Sequence, residues 1–121
     1  VTSRETTVLA SAARTATPAA VVLNTGYAVG LHLVVDVTAI VTAPSITVTL
    51  EQQDATSGKW YPLLISAAIT TVSTVVMKVY PGLVAAAGLA ANDVLTEAVR
   101  VTVTHGNGNS ITYSVAAHLI Q

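Results

Sequence analysis

The sequence predicts an all-β fold: an antiparallel β-sandwich or flattened barrel, jelly-roll-like, of about seven or eight strands. Three observations carry this reading. Apolar and polar residues alternate with period two through most of the chain, as in half-buried strands, and helical periodicity is almost missing. Clusters of Gly, Pro, Asn, Asp and Ser punctuate the alternating runs at short, regular intervals. The length, 121 residues, suits one domain over 1–121 and is too short for two ordinary cores.

Taken in order, Thr6–Ser11 reads as a short first strand. Ser11–Ala20 is small and polar and carries Pro18, so residues 1–20 are expected to form an extended N-terminal arm that adds little to the core. Val21–Leu23 pairs briefly before a turn at Asn24-Thr25-Gly26. Leu31–Val41 is the first strong strand, with Leu31, Leu33, Val35, Val37 and Ala39 on one face. Thr42-Ala43-Pro44-Ser45 turns the chain, because proline fixes φ and removes a ladder donor. Ile46–Gln53 follows with Ile46, Val48 and Leu50 inward, and Asp54–Gly58 loops back into Trp60–Ser66.

Val72–Tyr80 places Val75, Met77 and Val79 on one face and ends at Pro81-Gly82. Leu83–Ala91 is alanine-rich and fits a helical turn or a snug buried loop better than a strand. A strand with Val99, Val101 and Val103 inward leads to the turn Gly106-Asn107-Gly108-Asn109, and Ser110–Ile120 closes the fold. No internal repeat and no linker divides the chain.

Composition narrows the function. Hydrophobic residues make up 52% and charged residues 9%, where an average domain carries roughly 25% charged residues. A chain so poor in charge has little repulsion to oppose association, which points to a surface covered in a larger assembly. The net charge is −1, and Arg4, Arg14, Lys59, Lys78 and Arg100 are scattered along the sequence, so no nucleic-acid partner is expected. Cysteine is absent, which excludes disulfides and thiolate metal sites. The apolar stretches Leu33–Val41 and Leu83–Ala91 fall short of the roughly 18 residues a spanning helix needs, and no secretory signal is legible at the N-terminus. No membrane partner is expected.

No enzyme is expected either. His32, His105 and His118 lack the short spacings that place two zinc ligands on one face, so only proximity in the fold would make them a metal site. Asp36 and Glu51 lie on successive strands and are the one carboxylate pair placed to meet, yet they sit among threonines typical of a solvated sheet face. Gly-x-Ser-x-Gly is absent, and Gly106-Asn107-Gly108 opens no helix and is a turn. No catalytic, cofactor-binding or metal-binding residue is assigned, and no cofactor is implied. Trp60, Tyr61 and Asp54 flank one hairpin and offer a lectin-like platform; the competing reading, preferred here, packs Trp60 inward as a core filler beside Leu64.

Several segments carry a resemblance. Ser11-Ala12-Ala13-Arg14-Thr15-Ala16-Thr17-Pro18, Gly30-Leu31-His32-Leu33-Val34-Val35-Asp36-Val37-Thr38-Ala39 and Val79-Tyr80-Pro81-Gly82-Leu83 are three of them. Ala91-Asn92-Asp93-Val94-Leu95 and Val99-Arg100-Val101-Thr102-Val103-Thr104-His105-Gly106 are the others. Together they resemble a group of small proteins encoded among the virion genes of tailed bacteriophages, over about Thr7 to Ile120. The chain departs from that group at Thr96-Glu97-Ala98, where the group commonly carries a Pro-Arg-aromatic stretch.

The resemblance implies a structural virion protein at the capsid surface, foremost a capsid decoration (cement) protein that stabilises the phage head. Its implied partners are the major capsid protein and itself, as a homotrimer. The alternatives are a neck or tail adaptor subunit and a carbohydrate-binding module for host attachment.

Overall fold

The computed structural model describes residues 3–121. Its strands are β1 (Ser3–Arg14), β2 (Val21–Asn24), β3 (Gly30–Ile40), β4 (Ile46–Gln53), β5 (Trp60–Ile65), β6 (Ser73–Val79), β7 (Ala90–Ala91), β8 (Ala98–His105) and β9 (Ile111–Ile120). No helix forms among these residues, so none is long and apolar enough to cross a membrane. The strands build two sheets, ordered β1-β9-β3-β6-β7 and β2-β8-β4-β5.

The pairing is nested. β4 pairs with β5, β3 with β6, β2 with β8 and β1 with β9, all antiparallel, and successive pairs fall in alternate sheets. A long hairpin wrapped over itself in this way is the jelly-roll arrangement. β7 is an addition of two residues, parallel to β6 through Lys78↔Ala90 and Val79↔Ala91. Each sheet keeps its edges, β1 and β7 on one and β2 and β5 on the other, so the molecule is a sandwich and not a closed barrel.

The alternation places the core as the sequence implies. Leu31, Leu33, Val35 and Val37 of β3 and Met77 and Val79 of β6 are buried on the inner face of the five-stranded sheet. Ile46, Val48 and Leu50 of β4 and Val99, Val101 and Val103 of β8 meet them from the other sheet. β9 supplies Ile111, Tyr113, Val115, Ala117 and Leu119, all buried. Ala39, expected inward, is exposed because a register shift between Val37 and Ala39 turns the end of β3.

Two expectations are corrected. The arm assigned to residues 1–20 is, from Ser3 to Arg14, an edge strand paired with β9, and Val8 is buried in the core; Val1 and Thr2 lie outside the described residues. The sequence hides this strand because register shifts between Thr7 and Leu9 and between Leu9 and Ala12 break its period of two. Arg14 bridges the second irregularity, donating to the carbonyls of Ala10, Ala12 and Tyr113 at 2.6, 3.2 and 2.8 Å. Leu83–Ala91, the second case, takes the loop of its two alternatives, but the loop is mostly exposed and its last two residues pair as a strand. It runs as turns into β7, with Gly88 at φ +73° seated against the backbone of Ile65–Ala67, where a Cβ would lie 3.1 Å from Ile65 O.

Candidate functional site

The wrapped hairpin gathers its loops at two ends. One end is made by residues 15–20, 41–45, 66–72 and 106–110: His105 N donates to Thr17 Oγ1, Asn107 and Asn109 side chains to Ala43 O and Gly106 N to Ser45 O, while Ile69 pairs with Ile46 at the start of β4. None of these loops contains Asp, Glu, Lys, Arg or His. We refer to it as the neutral end. The opposite end is made by residues 25–29, 54–59, 80–82 and 92–97 and carries Asp54, Lys59, Asp93 and Glu97.

A cleft of about 690 Å³ opens at that second end, lined by Asn24, Gln53, Asp54, Tyr61, Glu97 and the small residues between them. Its floor is held by two buried polar side chains. Thr25, 1% exposed, donates from N to Glu97 O at 2.9 Å and from Oγ1 to Thr96 O at 2.7 Å. Gln52, 2% exposed, accepts at Oε1 from Thr96 N at 2.6 Å. Both groups are withdrawn from water and matched to backbone, so they fix the segment before β8 rather than cost stability.

The walls differ in how committed their polar atoms are. Asp54 is committed to its own turn, accepting from Ser57 Oγ at 2.8 Å and Thr56 N at 3.2 Å, and the Ser57 hydroxyl chiefly holds its carboxyl below the usual range. Asn24 Oδ1 accepts from Gly26 N, leaving its amide nitrogen toward solvent. Gln53 donates to Gly58 O and keeps its amide oxygen free. The Glu97 carboxylate has no hydrogen-bond partner among the described residues. Tyr61 is 42% exposed at the rim.

The remaining singled-out residues are dispersed. Trp60 is not in the core: it lies on the outer face of the four-stranded sheet, opposite Gln53, with the Arg100 guanidinium 4.5 Å from its ring centroid. Arg100 in turn donates from Nε and an Nη to Glu51 Oε1 at 3.1 and 2.9 Å. The inward reading fails because β5 pairs Trp60 with an outward Gln53, while Leu64 fills the core opposite Leu50. Asp36 and Glu51 do not meet. They stand on different sheets, Asp36 accepting from Thr74 Oγ1 and Glu51 paired with Arg100.

The histidines separate into two places. His32 and His118 are cross-strand neighbours on the outer face of the five-stranded sheet. Burial first, then Lys78 and His118, lowers the pKa of His32. His105 sits at the neutral end, with Nε2 3.0 Å from the Tyr113 hydroxyl and Arg14 4.6 Å above the Tyr113 ring. Burial and then Arg14 lower its pKa, and burial raises that of Tyr113. Among the described residues, no three His, Asp or Glu side chains come close enough to hold a metal ion.

Comparison with known proteins finds no family model, no curated protein and no solved structure that matches this chain. Thr25 and Gln52 were not singled out from sequence, and Glu97 was noted only as part of Thr96-Glu97-Ala98, without a binding role. Gln52 alone left a signal, a polar residue at an inward position of the alternating β4.

Proposed function

We propose that the chain is a structural protein of a tailed-phage virion, and specifically a capsid decoration protein that seats on the head through its neutral end. The observation that carries this reading is the distribution of charge over the fold. Four loops that converge at one end of a rigid sandwich contain no ionisable side chain, and two of them, 41–45 and 106–110, are bonded to each other through their polar groups. Covering these loops removes no loop ion from water, and the guanidinium beside them, Arg14, is already bonded to the carbonyls of Ala10, Ala12 and Tyr113. Association there therefore carries little of the desolvation cost that charged surfaces impose. Val41 and Val72, 60% and 57% exposed, add apolar area at the same end.

The sequence resemblance supplies the assembly, and the fold suits it. In this reading the partner is the major capsid protein, and copies of the chain stand as trimers at threefold positions of the shell. Two sheets locked by a continuous core give a scaffold that keeps its shape under internal pressure, and nothing in the role requires chemistry.

Copy number tests it. Quantitative mass spectrometry of purified virions is expected to find the chain in numbers comparable with the major capsid protein. A single ring's worth of copies would instead make it a neck or tail subunit, and its absence from virions would refute both.

A further inference from the structure

We propose that the cleft at the end opposite the neutral one is a binding site for neutral saccharides. This inference stands on the cleft alone and holds whether or not the chain is a virion protein. A sugar offers an apolar C–H face and a ring of hydroxyls, and a site that reads it needs an exposed aromatic ring beside hydrogen-bonding groups not already spent on the fold. Tyr61 supplies the ring, 42% exposed at the rim and carried on a strand paired with β4.

The polar groups are divided between structure and recognition. Asp54 is engaged through both oxygens, by Thr56 N and Ser57 Oγ, and serves to shape its loop. Glu97 is not: its backbone carbonyl is fixed by Thr25, while its carboxylate projects from that fixed point without a partner among the described residues. A carboxylate so placed accepts from two adjacent sugar hydroxyls, a charge-assisted contact stronger than a neutral one. The amide nitrogen of Asn24 and amide oxygen of Gln53 supply one further donor and one further acceptor.

Charge sets the ligand class. The cleft is lined by Asp54 and Glu97 and by no Lys, Arg or His, and the neighbouring cation Arg4 is held to the Asn24 carbonyl at 3.5 Å. The lining carboxylates therefore disfavour sugars bearing a carboxylate and admit neutral ones. The volume, about 690 Å³, accommodates one or two sugar rings. The floor is pre-organised, because Thr25 and Gln52 hold residues 96 and 97 before any ligand arrives.

The test is a two-dimensional amide NMR titration of the full chain with glucose, galactose, mannose, rhamnose and N-acetylglucosamine, and with glucuronate as the charged control. At least one neutral sugar is expected to shift the amides of Asn24, Gln53–Ala55, Tyr61 and Thr96–Ala98, and glucuronate none. Glu97→Gln is expected to weaken the response about tenfold or more, the loss of one charge-assisted bond. Tyr61→Ala is expected to abolish it with little change in melting temperature. No shift with any sugar at tens of millimolar overturns the proposal. So do shifts outside the cleft, equal binding of glucuronate, or binding indifferent to both substitutions.

Discussion

The two ends of the sandwich are built from the same kinds of residues and use them in opposite ways. At the neutral end, Thr17, Ser45, Asn107 and Asn109 bond the loops to one another or to the end of β8, and the cation there, Arg14, is bonded to three backbone carbonyls. At the cleft end, the buried pair Thr25 and Gln52 holds one segment still, while Glu97 and Tyr61 are left open. A surface whose polar groups are internally satisfied is cheap to cover. One that displays an unpaired carboxylate is cheap to cover only with a complementary ligand. The difference separates a surface for assembly from a surface for recognition.

Substitutions at each end break or sharpen this contrast. The largest effect is expected at Tyr113, fully buried beneath Arg14 and bonded to His105 at the neutral end. Tyr113→Ala should cost about 3–5 kcal/mol in chemical denaturation, the range for deleting a large buried aromatic. A cost under about 1 kcal/mol would mean the neutral end is not anchored through this residue. At the cleft end, Gln52→Ala should cost about 1–3 kcal/mol by orphaning Thr96 N, and should raise amide exchange at residues 96 and 97. Unchanged exchange there would remove Gln52 from the floor.

Trp60→Ala should cost about 1–2 kcal/mol, because the ring is half-buried and stacked on Arg100 rather than enclosed in the core. A loss of 4 kcal/mol or more, on the scale of a fully buried aromatic, would restore the inward reading.

Acid should act at both ends. His32 and His105 have pKa values lowered in the folded state, so the unfolded chain binds protons more readily. Their contribution is therefore complete above about pH 6.5 and is lost as pH falls through the folded values. Melting temperature should drop between pH 7.5 and pH 5, and the paired variant His32→Gln, His105→Gln should flatten that drop. A variant as acid-sensitive as the parent would contradict the assignment.

The smallest effect belongs to Thr42, a β-branched residue at φ 63° in the neutral end. Thr42→Gly relieves about 1–2 kcal/mol of left-handed strain against roughly 0.5–1 kcal/mol of added chain entropy, for a net gain of about 0–1.5 kcal/mol. Destabilisation would show that Thr42 makes a contact worth more than its strain.

The core was legible from the residue order, and the cleft only in part: Tyr61 and Asp54, singled out with Trp60 as a possible sugar platform, line it, while Trp60 does not. Ile46, Val48 and Leu50, or Val99, Val101 and Val103, alternate strictly and are buried as that alternation implies. β1 escaped because its register shifts destroy the period, and Trp60 because residue type said core while its register with Gln53 said surface. The cleft joins Asn24, Tyr61 and Glu97 from three separate segments, so no local spacing records it. The neutral end was half visible: each loop reads as uncharged, but only the wrapped topology brings the four together.

The absence of cysteine makes the central claim directly measurable, because single cysteines placed at the two ends can be labelled without background. Ala20→Cys reports the neutral end and Ala55→Cys the cleft end, both from exposed positions. Maleimide labelling of each variant is compared free in solution and after addition to phage heads lacking the protein. The account predicts strong protection of Ala20→Cys on heads, with Ala55→Cys labelled as fast as in solution. Protection of Ala55→Cys with Ala20→Cys left open would contradict it, as would a failure of the folded protein to bind heads at all.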